Sequence, residues 1–245
     1  MIVQGDRAAV FCPFLLLRCF GSRPFYQENK MGYKMRPLDE MEKSRFLDLI
    51  RDPPETELVY AAIAAVALGT GGRISEVLEM RVRNLFDGKG NPLPRISRSI
   101  RKVRRNDDER PDPRVTRLFP WALLGDPVIR WHQEAKRRFA VRDGDHLFSL
   151  RWDNRPINKV TAWRHQRVLL VAAGAPATGI AFHGIRKTTL RGVYKKCIEK
   201  TGDGFLAARQ TMDLSGHARV DTLMAYLFDD SGDAAEDALI SCFTL

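Results

Sequence analysis

The chain has 245 residues, enough to bury a full core in one large domain or two small ones. Its 40 Lys and Arg against 30 Asp and Glu give a net charge of +10 and a pI near 9.7, an excess suited to a polyanionic partner such as nucleic acid. The cysteines Cys12, Cys19, Cys197 and Cys242 form no C-x-x-C pair and stand near no histidine cluster, which argues against a zinc site and a disulfide framework and makes a reducing cytoplasm the expected compartment.

The apolar run AVFCPFLLLRCF is too short to span a bilayer and is broken by Pro13 and Arg18, so no membrane association is expected. Asp6 and Arg7 make a feeble charged region before it and no small-residue cleavage site follows. Residues 1–35 therefore read as a poorly ordered or mis-started N-terminal extension, with Met31 and Met35 just downstream of the run. Organised sequence begins at Arg36-Pro37. In PLDEMEKSRFLDLI, Asp39 is placed to cap a helix carrying Met41, Phe46, Leu49 and Ile50. After the break at Asp52-Pro53-Pro54, ETELVYAAIAAVALGTGG is rich enough in alanine and β-branched residues to be a buried central helix, stopped by Gly69, Gly71 and Gly72.

Arg73 follows those glycines, and Ile74, Val77 and Leu78 then recur at helical spacing, which puts Arg73 at the first turn of a new helix. From Asp87 to Phe119 the pattern changes. Gly88-Lys89-Gly90-Asn91 is a turn, RISRSIRK and RVTRLF are extended, and RRNDDERPDP is the loop between them, a small antiparallel sheet with a basic leading strand. Helical pattern resumes with Asp126 as a cap and Pro127 at the first helical position, running through Trp131 to Phe139. HLFSL reads as a short extended piece. Asn158 caps a helix through Val160, Trp163 and Val171, ended by Gly174-Ala175-Pro176. His183 opens HGIRKTTLRGVYKK, with Ile185, Leu190, Val193 and Tyr194 as its apolar face, and short helices follow around Phe205 to Met212 and Thr222 to Phe228. AAEDALISCFTL closes the chain as an amphipathic helix within residues 231–245. The expected fold is mainly α with a small antiparallel β-sheet (α+β), its principal domain spanning residues 36–230.

In LSGHARVDTLMAYLF a turn histidine, His217, precedes a helical tyrosine, Tyr226, flanked by Leu223 and Leu227. By itself the pattern fits a core tyrosine as well as a nucleophile aimed at a phosphate, which needs one neighbour to hold phosphoryl oxygens and another to take its proton. Upstream stand Arg73 after its glycine turn and the pair His183 and Arg186, three apart at a helix start.

Taken in order, GTGGRISEVLEM, HGIRKTTL and LSGHARVDTLMAYLF resemble the three motifs of the tyrosine recombinase, or phage integrase, catalytic domain, over roughly Pro37 to Phe228. The resemblance implies a site-specific DNA recombinase of a mobile genetic element that cuts and rejoins DNA through a covalent 3′-phosphotyrosine. In that scheme Tyr226 is the nucleophile and Arg73 and Arg186 clamp the non-bridging phosphate oxygens, where fixed cationic donors matter most as charge builds. His217 adds a donor to the same phosphate, and His183 helps accept the tyrosine proton. The acid for the leaving 5′ oxygen is a hairpin lysine in the family, best matched by Lys102, although Arg101, Arg104, Arg105 and Lys89 are close by. The family often has a histidine after the second-motif arginine where this chain has Lys187.

No metal, ATP or other cofactor is required or offered: there is no carboxylate cluster and no Walker-type glycine loop. The implied partners are double-stranded DNA, further copies of the chain as a tetramer assembled on that DNA, and accessory DNA-bending proteins. Full-length family members usually carry an N-terminal helical DNA-binding domain, for which the first thirty-five residues are too few. The final helix could pack on a neighbouring protomer through Ala235, Leu239 and Phe243, or on its own domain. Two rival readings stand beside the recombinase. FLAARQTMDLSGHARVDTLMAYLF also reads as a helix-turn-helix of a non-catalytic DNA-binding regulator, and the phosphotyrosine chemistry also serves a type IB topoisomerase-like relaxer.

Overall fold

The structure, a computed structural model, describes residues 36–99, 114–150, 153–176, 180, 182–217 and 219–228. All of them belong to the compact unit Lys34–Leu245. The expected N-terminal extension, the loop RRNDDERPDP with Lys102 before it, and the helix expected in 231–245 lie outside the described residues.

Helix α1 (Glu40–Arg51) starts where the sequence places it. The Asp39 carboxylate accepts from the backbone N–H of Glu42, whose own carboxylate accepts from the N–H of Asp39, a reciprocal capping box. Phe46 and Ile50 turn inward, whereas Met41 is exposed. Helix α2 (Leu58–Thr70) is buried on all sides, as its composition demands, and packs against α1 and against helices introduced below. It ends at Gly71, whose φ of 58° is the left-handed conformation that a Cβ penalises. Gly69 lies inside the helix instead of stopping it. Helix α3 (Ile74–Leu78) is short and follows at once, with Arg73 as its N-cap.

Strands β1 (Arg95–Ser99) and β2 (Arg114–Leu118) pair antiparallel, Ser97 opposite Thr116, and form the small sheet expected. Alternation along β1 puts Ile96 and Arg98 on the inward face. Helix α4 (Trp121–Phe139) corrects the sequence reading: it begins at Trp121, so Asp126 is no cap and Pro127 lies inside the helix. The buried stripe Leu124, Val128, Trp131, Ala135 continues across the proline, and the Trp121 indole N–H is anchored on the Leu93 carbonyl at 2.7 Å. Pro127 removes the N–H that the Leu123 carbonyl would use, but Leu123 is half exposed and water can serve it. HLFSL forms isolated bridges, His146 to Arg81 and Ser149 to Pro156, instead of a strand.

Helix α5 (Lys159–Ala172) is capped by the Asn158 side chain on the Val160 N–H; it buries Ala162, Gln166, Leu169 and Leu170 and leaves Val160, Trp163 and Val171 exposed. Helices α6 (Phe182–Thr201), α7 (Gly204–Ser215) and α8 (Val220–Phe228) complete the described fold. Helix α2 packs on α4, α5 and α6, so the central core is helical and the hairpin is peripheral to it. A smaller apolar cluster joins Leu190 of α6 to Leu223 and Leu227 of α8, with Tyr226 packed against it. That cluster is the floor on which the tyrosine rests.

Candidate active site

Three chain turns meet at one place, and each is built by a local rule. At the first, Thr70 accepts from the Gly72 N–H, and Gly71 in its left-handed conformation ends α2. Arg73 then sits extended at the head of α3. Its backbone N–H and its Nη1 both donate to the Glu76 carboxylate at 2.9 Å. Glu76 is fully buried, and its other partner is the Nη1 of buried Arg98, reaching in from β1. The second nitrogen of Arg98 donates to the Leu214 carbonyl at 2.6 Å. Burial pushes the Arg98 guanidinium below its ordinary value, and the adjacent Glu76 carboxylate opposes that shift.

The second turn is the start of α6. Arg186 is 2% exposed and spans two backbone segments, donating to the Gly71 carbonyl at 2.5 Å and to the Ser215 carbonyl at 2.7 Å. Burial, reinforced by the nearby charge of Arg73, lowers its pKa to about 10, so it stays charged at neutral pH. One turn on, the Thr189 hydroxyl donates to the Leu68 carbonyl at 2.8 Å, so α6 grips the end of α2 at two points.

The third turn joins α7 to α8. The last carbonyls of α7, Leu214 and Ser215, would be orphaned and carry the negative end of the helix dipole. Arg98 and Arg186 take one each, which ties this turn to the other two. Gly216 follows with a φ of 72°, another left-handed position, and turns the chain so that His217 faces back. Its Nδ1 lies 2.7 Å from the buried Ser215 hydroxyl, which donates to the Met212 carbonyl at 3.2 Å. A hydroxyl has one proton: while it stays on Met212 the His217 Nδ1 is the donor, and when it turns to Nδ1 the neutral ring carries its own proton on Nε2.

Tyr226 lies among these groups. The centroid of its ring is 5.3 Å from that of His217 and 6.3 Å from that of His183, which meets it edge-on. Arg186 Cζ lies 5.9 Å from the ring centroid and Lys187 Nζ 5.5 Å. The phenol donates to the His183 carbonyl at 3.3 Å, at the long end of the hydrogen-bond range. Burial raises the Tyr226 pKa above 10, while the charge of Arg186 and then that of Arg73 pull against it.

Arg73, His183, Arg186, His217 and Tyr226, far apart in sequence, are thus brought together, whereas Lys102 lies outside the described residues. Glu76, Arg98 and Ser215 belong to the same cluster and were missed from sequence. Glu76 had a signal, its capping-box spacing from Arg73, and Arg98 had one in its inward register with Ile96. Among the described residues no group of three or more His, Cys, Asp or Glu could hold a metal ion, and no helix is long and apolar enough to cross a membrane.

The described unit has the fold of the tyrosine recombinase catalytic domain, the one that the sequence resemblance implies. The XerH site-specific recombinase bound to palindromic difH substrate in a post-cleavage complex superposes with a TM-score of 0.61 at 16% identity, over 86% of this chain and 54% of that one. XerA recombinase gives 0.58 at 19% identity, over 86% and 66%. A lambda integrase dimer bound to a COC' core site gives 0.52 at 18%, over 81% and 49%. This chain therefore spans about half to two thirds of the length of these structures. No family model matches the sequence, and no curated protein matches it.

Proposed function

We propose that this chain is the catalytic domain of a site-specific DNA recombinase that breaks and rejoins strands through a 3′-phosphotyrosine at Tyr226. The observation that carries the proposal is the convergence of two arginines and two histidines on one partly buried tyrosine. A core tyrosine has no use for such neighbours, and a transphosphorylating one needs each of them. In the forward step the Tyr226 oxygen attacks phosphorus, its proton passing to His183, and the bond to the 5′ oxygen breaks as that oxygen takes a proton from an acid, for which Lys102 is the proposed residue. Arg186, with two of its N–H groups committed to carbonyls, is held rigid before any phosphate arrives, so little reorganisation is needed as charge develops. Arg73 is fixed in the same way through Glu76. His217, held by Ser215, adds a donor from Nε2. The phosphotyrosine conserves the energy of the broken bond, so rejoining requires no metal or nucleotide.

The DNA complexes of XerH and of lambda integrase favour double-stranded DNA as the substrate here. A tetramer assembled on that DNA and accessory DNA-bending proteins complete the proposal, as does a nucleoid-associated location in the cytoplasm. Helices α7 and α8 also have the order of a helix-turn-helix. Yet α8 buries Leu223 and Leu227 and turns Tyr226 toward Arg186, which favours the enzyme over the regulator. Incubation with nicked suicide duplexes tests the reading. A covalent adduct formed by the parent and absent in Tyr226→Phe supports it, and no adduct on any duplex returns the chain to the regulator. Resolution of adducts to recombinants supports the recombinase, and resolution only to relaxed circles supports the topoisomerase-like alternative.

A further inference from the structure

Lys187 stands where the second motif departs from the family pattern, and the chemistry above gives it no task. It is nonetheless only 6% exposed, an unusual place for an ammonium group. Helix α6 presents Arg186 and Lys187 in succession. Arg186 turns to the Gly71 and Ser215 carbonyls, while Lys187 brings its Nζ to 5.5 Å from the centroid of the Tyr226 ring, within the range of cation–ring attraction. Among the described residues, His183, Arg186 and Lys187 from α6 and His217 from the turn before α8 face this ring, and the charge of Arg73 also acts on it. All are bases or cations, so their charge works for the phenolate and against the burial that raises the pKa of the phenol.

We propose that Lys187 is a positioning residue for the nucleophile, its ammonium holding the Tyr226 ring and stabilising the phenolate as the proton leaves. The inference rests on the reading of Tyr226 as the attacking group. In the step itself the O–H bond of Tyr226 breaks, with its proton going to His183, and the O–P bond forms as the P–O5′ bond breaks. Lys187 keeps its own proton throughout and makes no covalent bond. A purely space-filling role would be met equally by methionine, which matches the length of the lysine stem without its charge.

The test needs no DNA. In protein labelled with ¹³C at the tyrosine Cζ, the signal absent in Tyr226→Phe reports ionisation of Tyr226 directly. Lys187→Met is expected to raise its midpoint by about one pH unit, the effect of removing one charge at this distance in a partly solvated site. The other tyrosines hold their midpoints, and Lys187→Arg stays within about 0.3 unit of the parent. Lys187→Gln is a second charge-removing variant, judged by the same criterion if the methionine variant does not fold. An unshifted midpoint in a folded variant overturns the inference and leaves the nucleophile reading standing. Cleavage adds the second arm. On duplexes with a 5′-bridging phosphorothiolate, whose leaving thiolate needs no acid, Lys187→Met remains about tenfold slower than the parent at neutral pH. Restoration to the parental rate would make Lys187 the general acid instead and overturn the positioning role. No adduct from the parent chain would overturn the nucleophile reading, and this role with it.

Discussion

Replacing Glu76 with alanine removes the carboxylate on which Arg73 and Arg98 are both held, and the structure sets the size of the effect. Arg98 is the costly partner, since its side chain is 2% exposed and its charge would be left buried and uncompensated. Breaking a buried pair from one side costs about 3–5 kcal/mol. The reciprocal bond to the Arg73 N–H contributes about 1 kcal/mol as a helix cap. The Arg73 side chain retains 17% exposure and can recruit water, so its ion pair adds less than about 1 kcal/mol. These contributions share one carboxylate and do not sum, so Glu76→Ala is expected to lose about 4 kcal/mol of a total of about 5–15 kcal/mol. Glu76→Gln keeps an acceptor and loses about 2 kcal/mol. Urea denaturation followed by circular dichroism at pH 7 measures both. The double variant Glu76→Met with Arg98→Met, which removes both charges and keeps the volume, is expected within about 2 kcal/mol of the parent. A loss below about 1 kcal/mol in Glu76→Ala would refute the claim that this carboxylate holds the site together.

Other outcomes follow from single residues. Arg186→Lys keeps a positive charge but cannot span the Gly71 and Ser215 carbonyls together, so adduct formation is expected to fall by about 10²–10³ with DNA binding little changed; retention of the parental rate would remove Arg186 from the phosphate clamp. His132 is stacked on Phe86, with its Nε2 buried and unpartnered and its pKa lowered to about 4 by burial and then by Lys136. Because the unfolded chain binds that proton more readily, stability from this residue is whole above about pH 6.5 and declines as pH falls toward 4. The loss from pH 7 to 4.5 is expected at about 2 kcal/mol, and His132→Phe should abolish that part of the slope in urea denaturation at the two pH values.

Local signals carried far in this chain, and they fail where tertiary contact decides. Asp39 and Asn158 cap the helices that their positions announce, because a capping oxygen acts within three residues. Gly71 ends α2 as a left-handed position must. Asp126-Pro127 has the same local chemistry as a helix start and misleads, since the apolar stripe of α4 runs through it and the carbonyl that Pro127 deprives can reach water. Val160, Trp163 and Val171 fit a helix by pattern, yet the side of α5 that packs inward carries Ala162, Gln166, Leu169 and Leu170 instead. The three motifs placed Arg73, His183, Arg186, His217 and Tyr226 in order, but of what immobilises the arginines only local signals were readable, the spacing of Glu76 from Arg73 and the inward register of Arg98, and not their pairing. The Glu76 to Arg98 pair joins a helix to a hairpin strand, and the carbonyls of Gly71, Leu214 and Ser215 become acceptors only once the three turns meet.

The most direct measurement of the central claim is the identity of the residue that carries DNA. Adduct trapped on a suicide duplex, digested with nuclease and protease and read by tandem mass spectrometry, is expected to carry a nucleotide 3′-phosphate on Tyr226 in the parent and no such mass in Tyr226→Phe. A nucleotide on Tyr194 or any other side chain, or an adduct that survives Tyr226→Phe, would contradict the account.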